Sequence, residues 1–136
     1  MKTALVSFFI FVIGLSALMN AAPQDDAMSS ALAWLKLVDS GKYIESDKQA
    51  AALFQKAASP EKWETQLNAG RAPLGKLISR AEKSRKHATT LPGAPDGDYY
   101  LIQFNTAFEK KTEAVETVTM MREADGQWRT AGYFIQ

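Results

Sequence analysis

The spacing of apolar residues changes once along the chain, near residue 74. Up to that point apolar residues recur every three or four positions, which places them on one face of a helix. Beyond it they alternate with polar residues, as they do in a half-buried strand. This order predicts an α+β domain in which three N-terminal helices pack on a four-stranded antiparallel meander sheet.

The three predicted helices each carry their own end signals. The first, in DDAMSSALAWLKLVDSGKY, has an apolar stripe that consists of Met28, Ala31, Leu32, Leu35 and Val38, widened by Trp34 and Leu37. The second, SDKQAAALFQKAA, begins with Ser46 and Gln49 at the spacing of a capping box. The third, SPEKWETQLNAG, has Ser59 as its N-cap and Pro60 in its first turn, with Trp63 on its buried face.

Four segments are predicted to be strands joined by short turns. They are residues 76–90, YYLIQFNTAF, AVETVTMMREA and QWRTAGYFI. Alternation along the last strand places Trp128 and Phe134 on one face and Tyr133 on the other. The Asp125-Gly126 pair predicts a type I′ hairpin turn, in which both central residues have positive φ.

The N-terminal stretch is typical of a secretory signal peptide. Lys2 precedes the apolar run ALVSFFIFVIGLSALM, and small residues follow that run. We therefore expect residues 1–22 to be removed and residues 23–136 to form one domain without a transmembrane segment. An uncleaved N-terminal anchor is the alternative.

Composition narrows the function classes. The chain has 16 basic and 15 acidic residues, and loss of Lys2 with the signal peptide makes it formally neutral, unlike most nucleic-acid-binding domains. It has no cysteine, which excludes disulfides, thiol nucleophiles and thiolate metal sites. Export without disulfides favours a bacterial periplasm, or secretion from a bacterium, over an animal secretome. The single histidine, His87, lacks partners for a triad or a metal site, so we expect it to be solvated. The sequence predicts no catalytic residue, metal or cofactor.

A cluster of cations follows the helices. Residues 71–87 contain one acidic residue, Glu82, and a candidate anion-binding surface formed by Lys76, Arg80, Lys83, Arg85 and Lys86. Such a surface would attract an anionic partner in the envelope, such as a lipid headgroup, lipopolysaccharide or a polyanionic glycan. The alternative is an edge strand whose lysines and arginines prevent pairing with other chains.

Several aromatic residues and one carboxylate are candidates to line a cone-shaped cavity. They are Trp63, Tyr100, Phe104, Glu116, Trp128 and Tyr133. Glu116 shares the parity of Val118 and Met120, so it could face the cavity as an acid or base. The alternatives are that the aromatic rings fill the core and that Glu116 faces solvent or pairs with a neighbour such as Arg129.

The loop LPGAPDGDYY, residues 91–100, contains two prolines and two glycines ahead of an alternating run. Asp96 and Asp98 could face a pocket, but no metal-loop spacing extends beyond these two aspartates. Proline presets φ and glycine supplies positive φ, so we interpret the loop as a turn that leads into the strand.

Six motifs taken in order resemble a bacterial family, domain of unknown function 4019. They are WLKLVDSGKY (34–43), AALFQKA (51–57), RAPLGK (71–76), LPGAPDGDY (91–99), ETVTM (116–120) and DGQWRTAGYFI (125–135). The resemblance implies an exported protein with an NTF2-like (cystatin-like) fold, in which the antiparallel sheet is curved, and it implies no activity. The chain departs from the family at Ser46-Asp47, where the family usually has Ser-Trp, so the packing or surface there should differ.

The expected function follows from these absences and from the resemblance. We expect a non-enzymatic binding or interaction module of the cell envelope, whose partner is an envelope protein or an anionic envelope polymer. The alternative is a small-molecule enzyme that uses Glu116 with Tyr100 or Tyr133 in an NTF2-like cavity.

Overall fold

The computed structural model describes residues 22–136, so all but the last residue of the predicted signal peptide lies outside the described residues. The elements are α1 (Pro23–Asp39), α2 (Tyr43–Lys48), α3 (Ala52–Ala57), α4 (Pro60–Gly70), a 3₁₀ turn (Ala72–Leu74), β1 (Leu77–Ala88), β2 (Tyr99–Phe108), β3 (Lys111–Arg122) and β4 (Trp128–Ile135). The strands form one antiparallel sheet in the order β1-β2-β3-β4. The predicted α+β class and meander sheet are confirmed, whereas the NTF2-like assignment stays a prediction.

The prediction of three N-terminal helices is wrong, because the second predicted helix is divided into α2 and α3. Ser46 lies inside α2 and is not an N-cap; its hydroxyl donates to the Tyr43 carbonyl at 2.6 Å. At the break, the Ala51 N–H donates to the Thr130 carbonyl in β4 at 2.8 Å. This long-range contact replaces the helical hydrogen bond that local propensity favours.

The two longer helices bury the faces that their patterns indicate, with one exception. In α4 the Ser59 hydroxyl accepts the Lys62 N–H at 3.2 Å, which confirms the predicted N-cap. The buried residues of α1 are Ala27, Ala31, Trp34, Leu35 and Val38. Leu32, predicted in this stripe, is 45% exposed because Trp34 lies nearer the centre of the buried face.

An irregularity in β4 overturns the predicted facing of its aromatic residues. Met120 pairs with Thr130 and Thr119 pairs with Gly132, so Ala131 is an extra residue in β4. An extra residue reverses the alternation beyond it. Tyr133 therefore packs against the core on the same side as Trp128, and Phe134 is 51% exposed.

The turn between β3 and β4 is also longer than predicted. The Glu123 N–H bonds to the Gln127 carbonyl at 2.9 Å, which leaves three residues in the connection. Gly126 has a φ of 82°, and no residue other than glycine has positive φ within residues 22–136. The type I′ prediction is therefore wrong, because Asp125 instead accepts the Gln127 N–H through its side chain at 3.0 Å.

The helices cover one face of the sheet, and the core lies between them. Trp34 packs edge-on against Phe54 and Tyr133, with ring centroids 6.1 Å and 5.3 Å away. Ser46 fixes two indoles, because its carbonyl accepts the Trp34 N–H at 2.8 Å and its hydroxyl accepts the Trp63 N–H at 2.9 Å. No helix in residues 22–136 has the length and hydropathy needed to cross a bilayer.

Asp47 is an unusual part of this core. It is 1% exposed, and its Oδ2 atom has no hydrogen-bond partner among the described residues. Burial, and secondly the nearby charge of Glu61, raise the pKa of Asp47 above its ordinary value of 3.8. Asp47 therefore places an uncompensated carboxyl group in the helical layer.

Candidate functional site

A carboxylate at the centre of the sheet organises a buried polar network. Glu116, in β3, is fully buried on the side of Val118 and Met120, where its parity places it. Arg80, in β1, reaches it with two hydrogen bonds, from Nε to Oε1 at 2.7 Å and from Nη2 to Oε2 at 3.1 Å. This paired geometry is the strongest form of arginine–carboxylate contact.

A second carboxylate holds the other side of the same guanidinium group. Asp39 ends α1, where the helix dipole disfavours a negative charge. Arg80 offsets this by donating from Nη1 to Oδ2 at 2.8 Å and from Nη2 to Oδ1 at 3.1 Å. The buried Arg71 adds a contact from Nη2 to Asp39 Oδ1 at 3.3 Å, and its guanidinium carbon lies 4.3 Å from the centre of the Phe108 ring.

Two hydroxyl groups complete the shell around Glu116. The Thr106 hydroxyl, in β2, donates to Oε1 at 2.6 Å, and the Tyr133 hydroxyl, in β4, donates to Oε2. Each carboxylate oxygen of Glu116 therefore accepts two hydrogen bonds. The network of Asp39, Arg71, Arg80, Thr106, Glu116 and Tyr133, here called the polar network, joins α1 to all four strands.

Electrostatics fix the protonation of two members of this network. Burial, reinforced by the charge of Glu116, raises the pKa of Tyr133 far above its ordinary value, so its hydroxyl is neutral at physiological pH. Burial alone would lower the pKa of Arg80, but the hydrogen bonds that Arg80 donates to Asp39 and Glu116 raise it. Tyr133 is therefore a hydrogen-bond donor and Arg80 a permanent cation.

The polar network is closed rather than open to a substrate. Glu116 has no solvent-exposed surface, and its four acceptor positions are filled by donors of this chain. Tyr133 borders a notch of about 190 Å³ beside α4, but its hydroxyl is directed at Glu116. Acid–base chemistry at Glu116 would require the surrounding donors to move away.

The other candidate cavity residues lie in the core. Trp63, Phe104 and Trp128 are at most 7% exposed. The Tyr100 ring lies between those of His87 and Trp128, with centroids 5.0 Å and 5.3 Å away. His87 is exposed, as predicted, but its Nε2 atom contacts Asp98 Oδ1 at 2.7 Å.

The predicted basic cluster is divided by its ion pairs. Arg80 is held by Asp39 and Glu116, while Arg85 bonds to Glu82 at 2.7 Å and 2.8 Å. These bonds also lower the pKa of Glu82. Three side chains of the cluster remain exposed, Lys76, Lys83 and Lys86. Strand β1 is an edge strand, and irregular pairing at Ile78 and Lys83 interrupts its edge. Anion binding at this segment stays a prediction.

The loop between β1 and β2 packs over the outer face of the sheet. Tyr99 is fully buried there, and its hydroxyl donates to the Pro95 carbonyl at 2.5 Å. Gly93 has a φ of 76°, and the Gly97 N–H bonds to the Thr89 carbonyl at 3.0 Å. Proline and glycine thus shape a turn that leads into β2, while Asp96 is exposed.

An open cleft of about 420 Å³ lies between α1, the end of α2 and β4. We call it the α1–β4 cleft; its lining residues include Trp34, Lys48, Gln49, Gln127 and Trp128. These residues come from separate segments of the chain, so no local motif in the sequence indicated the cleft. Within residues 22–136, no group of three metal-ligating side chains is assembled here or elsewhere.

Fold and site together define an α+β meander protein with a buried polar network and an open cleft beside its last strand. The chain belongs to the family of proteins of unknown function DUF4019, whose family model matches residues 30–133. This match confirms the family resemblance of the six motifs and assigns no activity. No curated protein matches the chain.

Proposed function

We propose that the protein is a non-enzymatic binding module exported to the bacterial cell envelope. The observation that carries this proposal is that Glu116 is fully enclosed by hydrogen-bond donors of the chain. Glu116 is the buried glutamate that the sequence indicated as a candidate acid or base. Every donor around it comes from the chain itself, so the carboxylate acts as a structural acceptor.

The alternative of a small-molecule enzyme has less support. It requires a carboxylate and a tyrosine that both face a cavity, as the comparison with NTF2-like enzymes suggests. Here the Tyr133 hydroxyl donates a hydrogen bond to Glu116, and Tyr100 is packed between His87 and Trp128. Neither pair presents a free carboxylate and a free hydroxyl to a common space.

The α1–β4 cleft at the surface is a better candidate for a ligand-binding site than the buried surroundings of Glu116. The α1–β4 cleft combines an aromatic floor with polar side chains at its rim, which is the usual composition of a ligand site. Support for export comes from the charged, apolar and small-residue order of residues 1–22 and from the absence of cysteine.

The test is a fragment screen of the full chain expressed in a Gram-negative host and purified in its processed form. Ligand-observed NMR detects binding, and the same samples are followed for chemical conversion. We expect fragments to bind, to remain unchanged, and to shift amide resonances of cleft residues such as Gln49 and Gln127.

The non-enzymatic proposal would be overturned if the wild type and the surface control Glu82→Gln convert a fragment and Glu116→Gln does not. Export is checked by the mass of the chain in the periplasmic fraction. We expect cleavage near residue 22, and accumulation of uncleaved chain in the cytoplasm would contradict export.

A further inference from the structure

We propose that the α1–β4 cleft binds a small organic monoanion with a flat, apolar body, of which an aromatic carboxylate is the simplest case. This inference rests on the proposed binding function and specifies its ligand class. Three features of the cleft carry it: an aromatic floor, an indole N–H without an acceptor in the described chain, and a rim that carries positive but no negative side chains.

The floor of the cleft is apolar and rigid. Trp34 and Trp128 line it, with 5% and 7% of their surfaces exposed. Met120 and Thr130 also line it and are almost fully buried. The volume of about 420 Å³ lies at the low end for ligand pockets, which fits a molecule of roughly ten to fifteen non-hydrogen atoms.

One donor of the floor is free to bind a ligand. The indole N–H groups of Trp34 and Trp63 both donate to Ser46. That of Trp128 has no acceptor within residues 22–136, and it is not among the fully enclosed polar atoms without partners. Trp128 borders both the cleft and an adjoining groove of about 300 Å³ whose lining includes Asp26, and a ligand acceptor can meet its N–H without displacing a protein contact.

The charged side chains at the rim of the cleft favour a negatively charged ligand. Arg129 is neutralised by Glu123 and Asp125, each at 2.8 Å. Lys48, the last residue of α2, is exposed and has no carboxylate within ion-pairing distance in the described part of the chain. None of the described residues that line the cleft itself is acidic. A bound anion therefore meets one available cation, while the acidic side chains beside the cleft are Glu123 and Asp125, which are paired with Arg129, and Asp26 in the adjoining groove.

The experiment uses phenylacetate as the probe and its neutral analogue phenylacetamide as the comparison. Both are titrated into the ¹⁵N-labelled processed chain up to about 10 mM, which covers the weak affinities expected of ligands this small. The indole N–H resonance of Trp128 is assigned from its loss in Trp128→Phe. We expect phenylacetate to shift this resonance in a saturable manner and to shift those of Trp34 and Trp63 much less.

The charge contribution is tested with matched lysine variants. Lys48→Gln should weaken phenylacetate binding about twofold to fivefold, the effect of one exposed ion pair. Lys42→Gln, at the N-cap of the same helix but outside the cleft lining, should leave binding unchanged. Phenylacetamide should bind to the wild type no better than phenylacetate binds to Lys48→Gln.

The absence of a saturable shift at Trp128, or equal binding of the acid and the amide, would overturn the monoanion proposal. If the fragment screen then finds unconverted ligands of another class, the binding function stands and this ligand class fails. If it finds conversion that depends on Glu116, the proposed function fails regardless of the result in the cleft.

Discussion

Substitution of Glu116 by glutamine tests whether the polar network stabilises the fold. The change preserves shape and removes the negative charge. In the wild type Oε1 accepts from Arg80 and Thr106, and Oε2 accepts from Arg80 and Tyr133. The new NH₂ group therefore meets two donors whichever way the amide is turned, and those donors lose their acceptor.

The expected loss follows from burial. Removing one partner of a buried, hydrogen-bonded ion pair costs about 3–5 kcal/mol, because the other charge remains in the interior. Arg80 keeps Asp39 as a partner, so we expect the lower end, about 3 kcal/mol. The matched surface pair, Glu82 with Arg85, is 39% and 22% exposed, and Glu82→Gln should cost less than about 1 kcal/mol.

Urea unfolding followed by tryptophan fluorescence measures both losses. A double-mutant cycle with Arg80→Met isolates the pair, and we expect a coupling free energy of about 2 kcal/mol or more. If Glu116→Gln costs no more than Glu82→Gln, the closure of Glu116 has no energetic consequence and the structural role argued for it is refuted.

Two further predictions concern Asp47 and the exposed lysines. Because burial raises the pKa of Asp47, protonation of this carboxyl group favours the folded state. That contribution is fully present below pH 3.8 and is lost as the pH rises through the raised pKa. Asp47→Asn should therefore raise the free energy of unfolding by about 1 kcal/mol at neutral pH, and this gain should shrink towards pH 3.8. A gain that does not vary with pH, or an equal gain in the exposed control Asp26→Asn, would contradict this prediction. For Lys76, Lys83 and Lys86, we expect the wild type not to co-sediment with anionic phospholipid vesicles at low salt. We expect the variant with all three changed to glutamine to aggregate more, as measured by light scattering. Binding of the wild type to vesicles that the triple variant loses would instead favour the anion-binding hypothesis.

Elements of the fold that depend on local chemistry could be predicted from the sequence. Ser59 begins α4 by accepting the Lys62 N–H, and Pro60 follows it without an N–H that would need a partner. Alternation along β2 reflects one buried face. The division of α2 from α3 could not be predicted, because Ala51 bonds to Thr130 at the other end of the chain. The local pattern contains no information about that partner.

The candidate site was predictable only in part for a similar reason. The parity of β3 places Glu116 inside, but its partner is Arg80 rather than the nearby Arg129. Irregular pairing at Ile78 and Lys83 on both sides of Arg80 removes the alternation that would have indicated an inward side chain. Asp39 joins the network only through tertiary packing, since nothing in the α1 pattern distinguishes it from a solvated carboxylate.

These irregularities also suggest why buried charges occupy this interface. Arg80 and Tyr133 are each the second residue after an extra residue in their strands, at Ile78 and Ala131. A slip of one residue in either strand would turn that side chain to the outer face, away from Glu116. We infer that the polar network selects the strand register, because only one register lets both donors reach the same carboxylate. The double variant of Arg80→Met and Glu116→Gln tests this inference directly. It should show more than one set of backbone amide resonances for β1, and a single set would mean that apolar packing alone fixes the register.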